Sequence, residues 1–106
     1  MEKSINAIEA YVEVLKQSKE YCDYRRTLAA VKEVPGLMEQ VNEFRKKNFL
    51  LQNSETATFE SIESFQLEYA EFRENPLVED FLTAELAFCR MMQYNNSLIL
   101  EALHFE

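Results

Sequence analysis

The residues best placed to do chemistry are Glu101 and His104, two cysteines, and one short basic run. A Glu-x-x-His pair puts both side chains on one face of a helix. Di-iron carboxylate bundles use two such pairs plus a carboxylate from each of two further helices. His104 is the chain's one histidine, so a multi-histidine metal site needs a second copy. His104 also stands two residues from the end of the sequence, where a helix frays and holds a ligand poorly. The expected reading is therefore a solvated His104 and no metal or cofactor. The dimeric metal-binding bundle through Glu101 and His104 is the alternative. Cys22 and Cys89 are far apart and lack Cys-x-x-Cys spacing. Arg25 follows Cys22 by one helical turn and Arg90 adjoins Cys89, which would favour a thiolate. The plainer expectation is that both cysteines pack as small apolar side chains. One glycine leaves no room for a phosphate-cradling GxGxxG or P-loop. The residues read alone predict no enzyme.

The elements that must position these groups follow from composition. With one glycine and two prolines in 106 residues, the chain has few places to turn. Proline is tolerated in a first helical turn, where its missing N–H has no partner to lose. Both Pro35 and Pro76 are read as helix starts. Good helix formers dominate the rest. The expected fold is all-α, about five helices with short connections in an elongated hairpin or bundle. Residues 1–106 are expected to form a single domain.

Apolar residues at spacings of three and four mark the helices. The first runs from about Lys3 to Leu15 with Ile5, Ile8, Val12 and Leu15 in a stripe. Ser18 is the candidate N-cap of the second, whose face carries Tyr21, Tyr24, Leu28 and Val31 and which ends near Val34. The third begins at Pro35 and carries Leu37, Val41, Phe44 and Leu51. Its Arg45-Lys46-Lys47 run spreads around the helix and reads as a solvated face. A polar loop at Asn53–Thr56 precedes the fourth, with Phe59, Ile62, Phe65, Tyr69 and Phe72 on one side. Asn75 caps the fifth, from Pro76 to about Leu103. There Leu77, Phe81, Ala84, Phe88, Met91, Asn95, Leu98 and Ala102 form a heptad seam with one polar member. Asn95 is read either as a register residue or as a solvent-facing one. Leu82, Leu86, Cys89, Met92, Ile99 and Leu103 widen the apolar surface. A helix apolar over so much of its circumference is central to its own bundle or touches another subunit. Leu77, Phe81, Phe88 and Met91 are the candidate interaction residues.

The formal charge of −8 argues against direct binding to nucleic acid or to an anionic membrane. The charge is uneven. Residues 1–53 hold nine basic and eight acidic side chains, whereas residues 54–106 hold two basic and eleven acidic. The acidic half is a solvated face or a docking surface for a basic partner. No apolar run approaches the ~18 residues that a bilayer span requires. Met1-Glu2-Lys3 leads straight into a mixed segment, not a secretory signal. A soluble cytoplasmic protein is expected.

The segment from Tyr21 to Val31, then Pro35-Gly36-Leu37, then Val41 to Lys47, resembles the YlbF/YmcA family. Asn75-Pro76-Leu77-Val78 followed by Leu82-Thr83-Ala84-Glu85 is similar to that family's second characteristic stretch. The resemblance implies a small all-α bacterial regulator without catalytic residues, acting through protein contacts. The wide apolar surface of the fifth helix separately points to a homodimer, or to a heteromer with a related helical chain. The resemblance also implies a place in a complex of the YlbF–YmcA–YaaT kind, which influences ribonuclease Y-dependent mRNA processing, competence, biofilm formation and sporulation. Some members of that complex are associated with an iron–sulfur cluster. Cys22 and Cys89 lack the spacing for one, so no cluster is carried over. Val34 stands where the family's pattern places an Asp or Asn before the proline.

Overall fold

A computed structural model describes residues 1–104 of the chain. Six helices follow one another: α1 (Glu2–Lys16), α2 (Lys19–Lys32), α3 (Leu37–Gln52), α4 (Phe59–Glu68), α5 (Ala70–Glu74) and α6 (Pro76–Ala102). The fold is all-α, with no strand among the described residues.

Local chemistry explains most helix starts. The Ser18 side chain accepts a hydrogen bond from the Tyr21 amide and caps α2. Thr58 and Ser61 form a reciprocal capping box at α4. The Asn75 side chain accepts from the Leu77 amide, and Pro76 occupies the first turn of α6.

Pro35 corrects the expectation for the third helix, which begins at Leu37. The Leu37 amide donates to the Val34 carbonyl at 3.1 Å, and Gly36 has φ +79° and ψ −10°. Proline followed by a left-handed glycine is a type II turn. A Cβ added at Gly36 would meet nothing within 4 Å, so only the backbone resists substitution. Gly36→Ala is expected to lower the unfolding free energy by about 1–2 kcal/mol, with Gly36→Asn losing less. Urea unfolding of the two variants checks this ordering.

The expected fourth helix divides at Tyr69, whose backbone leaves helical geometry at φ −107° and ψ 12°. The division wraps Phe65, Tyr69 and Phe72 around Phe44, at ring-centroid distances of 5.5, 5.2 and 5.5 Å. Phe65 stacks on Phe44, Tyr69 meets it edge-on and Phe72 is tilted, all within the range of favourable aromatic contacts. The buried core lies next to this cluster. Leu28 and Val31 of α2, Leu37 and Val41 of α3, and Val78 and Phe81 of α6 meet there. The buried Thr27 hydroxyl donates back to the Asp23 carbonyl at 2.8 Å, so it leaves no orphaned donor.

The core occupies one end of an extended molecule. The radius of gyration is 17.7 Å and the extents are 50 × 37 × 20 Å. A compact chain of this length would have a radius near ~13 Å. The extra length is set by α6, which runs far beyond the core.

Candidate interaction surface

The four candidate residues lie along the first two-thirds of α6 and do not share one environment. Phe81 is fully buried in the core. Leu77 is half-buried and packs against the core from its edge. Phe88 is half-buried, with its ring centroid 5.8 Å from that of Tyr21 and 5.6 Å from that of Tyr24. Met91 is half-buried one turn further on. Phe81 and Phe88 therefore face α2 of the same chain.

The contacts set an antiparallel register. Tyr24 lies beside Phe81, Tyr21 beside Phe88, and Tyr11 beside Asn95. Residue numbers rise along α1 and α2 as they fall along α6. Asn95 donates from Nδ2 to the Tyr11 hydroxyl at 2.9 Å. Of the two readings open for Asn95, this is the structural one, a polar tie between α1 and α6. Tyr11 is the functional candidate that sequence reasoning missed. Its position at the border of the apolar stripe was the available signal.

Beyond that tie the apolar faces are uncovered. No residue of α1 is buried. Ile8 is 57% exposed, and Ile5 and Val12 are exposed beside it. At the end of α6, Leu98 and Ile99 are exposed, as is its C-cap Leu103, at 70%. They continue the helical face that carries Phe81 and Phe88, at steps of three and four. A helix of this length is marginal in water without tertiary packing. Of the apolar residues of α1, only Tyr11 and Leu15 are even half-buried.

The charged groups correct one expectation. Arg45 and Lys47 are not simply solvated. Arg45 pairs with Glu85 across α3 and α6, and its guanidinium lies 5.8 Å from the Phe81 ring centroid. Lys47 bridges Glu43 and, at 3.1 Å, Glu68 of α4. Its ammonium is held above the ordinary lysine value by the Tyr69 side chain first, then by the Glu68 and Glu43 carboxylates. Lys46 is exposed as expected. In the acidic half, Glu60, Glu63, Glu71 and Glu74 are exposed and stand outside the ion pairs of the described residues.

The remaining candidates do not converge. Both cysteines are exposed, against the expectation of core packing. Cys22 sits at the joint where α1 leaves α2, with its thiol 3.6 Å from the Lys16 carbonyl. Cys89 lies on the flank of α6 that borders α3, in an open groove with Phe49, Leu82 and Leu86. Glu101 is in the last turn of α6, and His104 follows the helix end with φ 54°. Among the described residues, no group of three or more His, Cys, Asp or Glu side chains could hold a metal ion. An open cleft of about 400 Å³ between α3 and α4 is lined by apolar groups and the amides of Asn48, Gln52 and Gln66, with Arg73 its one charge. Among the described residues, no helix is long and apolar enough to cross a membrane.

Comparison with known proteins adds three findings. The family described as "Control of competence regulator ComK, YlbF/YmcA" matches residues 5–104. A UPF0342 protein of Caldicellulosiruptor bescii is 24% identical over 96 residues, covering 87% of this chain and 81% of that relative. No solved structure matches the chain.

Proposed function

We propose, from the premise that this chain belongs to the YlbF/YmcA family, that it is a non-enzymatic regulatory adaptor acting as one unit through protein contacts. The family's description names control of a competence regulator, which supports a regulatory role. The observation that carries the contact mode is α1: fifteen residues of amphipathic helix with none buried. An exposed apolar face of that kind marks a protein-interaction site. The finer reading is membership of a cytoplasmic complex with YmcA-like and YaaT-like chains, which adjusts ribonuclease Y-dependent mRNA processing. In this reading the nuclease performs the chemistry. The acidic face of α4 and α5 offers charge to basic surfaces on the other members.

The test is reconstitution. The purified chain is mixed with the YmcA-like and YaaT-like proteins of its host and separated by size. Co-elution is expected. Glu60→Lys combined with Glu63→Lys should slow association and flatten its salt dependence. Absence of co-elution, together with unchanged transcript ends in a deletion strain, would sink the adaptor reading.

A further inference from the structure

We infer that the cleft between α3 and α4 holds the C-terminal residue of a partner protein, with an apolar side chain on the cleft wall and the free carboxylate on Arg73. The inference rests on the adaptor reading and names the chemistry of one partner contact.

Three observations select that occupant. The first is the lining. α3 supplies Phe44, Asn48 and Leu51, at steps of four and three along one helical face, and α4 supplies Ile62 and Phe65. The Phe44 and Phe65 rings stack at 5.5 Å and Leu51 is half-buried, so the apolar wall is in place before anything binds. Ile62 is 41% exposed at its open side. The volume of about 400 Å³ is at the small end for ligand clefts, ~300–1,000 Å³. Such a space takes a chain end and not a long segment. An apolar side chain and a carboxylate share it when both belong to one residue.

The second observation is the set of amides. Asn48 and Gln52 line the cleft from α3 and Gln66 from α4. Gln52 donates to the Asn48 oxygen at 3.3 Å, which leaves the Asn48 nitrogen to donate and the Gln52 oxygen to accept. A side-chain amide offers both kinds of partner, as a peptide group requires. A fatty or aromatic acid has no use for them.

The third observation is charge. Arg73 is the one charged side chain of the lining. It stands outside the ion pairs of the described residues, although Glu74 and Glu79 line a neighbouring groove with it. Arg45 and Lys47, by contrast, are both paired. A guanidinium beside an apolar wall suits a carboxylate, which it holds through two parallel N–H donors. Residues 54–106 carry eleven acids against two arginines, so an acidic run is repelled there. A ligand with a single carboxylate meets Arg73 at contact distance, whereas the surrounding acids act on it through screening water. Capture of a C-terminal carboxylate is a recurring mode of peptide recognition.

Titration of the isotope-labelled full chain with N-acetylated pentapeptides ending in leucine or phenylalanine tests the inference, each peptide as free acid and as C-terminal amide. The free acids should bind with a Kd below ~1 mM and shift the side-chain amide signals of Asn48, Gln52 and Gln66. The amidated peptides should bind at least ~10-fold more weakly, since a hydrogen bond to a charged group is lost. Arg73→Gln should weaken the free acids by the same ~10-fold and leave the amidated peptides unchanged. Ile62→Ser should weaken both forms. Arg73 and Ile62 are exposed, so circular dichroism should still report folded helices. No saturable binding up to ~1 mM overturns the inference, as does equal binding of acid and amide. An amidated peptide with an internal aspartate that matches the free acids overturns it in favour of an acidic side chain. Decanoate that matches them overturns it in favour of a small amphiphile. If the peptides fail while the chain co-elutes with YmcA-like or YaaT-like proteins, the inference falls and the adaptor reading stands. Peptides that bind through Arg73 without any co-elution sustain the cleft and remove the adaptor reading.

Discussion

Phe81→Ala should lower the unfolding free energy by about 3–5 kcal/mol, the usual cost of removing a fully buried phenylalanine ring. For a domain of this size that corresponds to a fall of more than ~12 °C in melting temperature. The ring is fully buried where three helices meet, against Leu28 and Val31 of α2 and Leu37 and Val41 of α3. It also lies beside Tyr24, at a centroid distance of 5.9 Å, and beneath the Arg45 guanidinium. Its loss therefore opens a cavity and removes a cation–π contact at one point. The surrounding valines are β-branched and stiff, so they fill the space poorly. The effect should be global: amides of α2, α3 and α6 should lose hydrogen-exchange protection together. A melting temperature within ~3 °C of the parent would show that the core does not depend on this ring.

Phe44→Ala should cost a similar ~3–5 kcal/mol by the same cavity argument, but with a different pattern. Phe44 is 8% exposed, and its ring is the centre about which Phe65, Tyr69 and Phe72 are arranged. α4 has no buried residue of its own. Its ties to the body are the Phe44–Phe65 contact and the exposed Lys47–Glu68 ion pair. Exposed pairs contribute ~1 kcal/mol or less. Without the Phe44 ring, α4 should open locally while α2 and α6 remain closed. Hydrogen exchange resolved by segment reads this directly: residues 59–74 should exchange faster than the core in the variant. Equal loss of protection in α2 and α4 would place Phe44 in the global core.

The two substitutions divide the molecule into a packed end and a hung element. That division was partly legible from the chain. Aromatic residues at helical spacing between Phe59 and Phe72 marked an apolar face. The bend at Tyr69 was not legible, because nothing in the local sequence forbids a continuous helix there. It forms because three rings must surround one ring on another helix, and that is a tertiary demand. Pro35 shows a different failure. Proline suits both the first helical turn and the second position of a type II turn. Gly36 decides between them by adopting positive φ, and Pro-Gly is the dipeptide that marks such a turn. The cysteines failed for a third reason. Burial frequencies describe residue types, whereas Cys22 sits at a joint and Cys89 on a flank, and both are exposed.

Arg45 and Lys47 belong with the cysteines. Consecutive charges on a helix do spread around it, yet two of the three found carboxylates on other helices. No spacing rule connects Arg45 to Glu85 across forty residues.

From its residues in order, the chain determined most of its helical segments, the Ser18 and Asn75 caps, and the family to which it belongs, because capping bonds and helical periodicity are settled within a few residues of backbone. Only the tertiary structure decided that α2 covers the first half of the α6 seam and leaves the second half bare. The Tyr11–Asn95 bond joins residues 84 positions apart. Where such a contact falls depends on how three helices share one small core, and a core at one end of a 50 Å molecule must leave the other end uncovered.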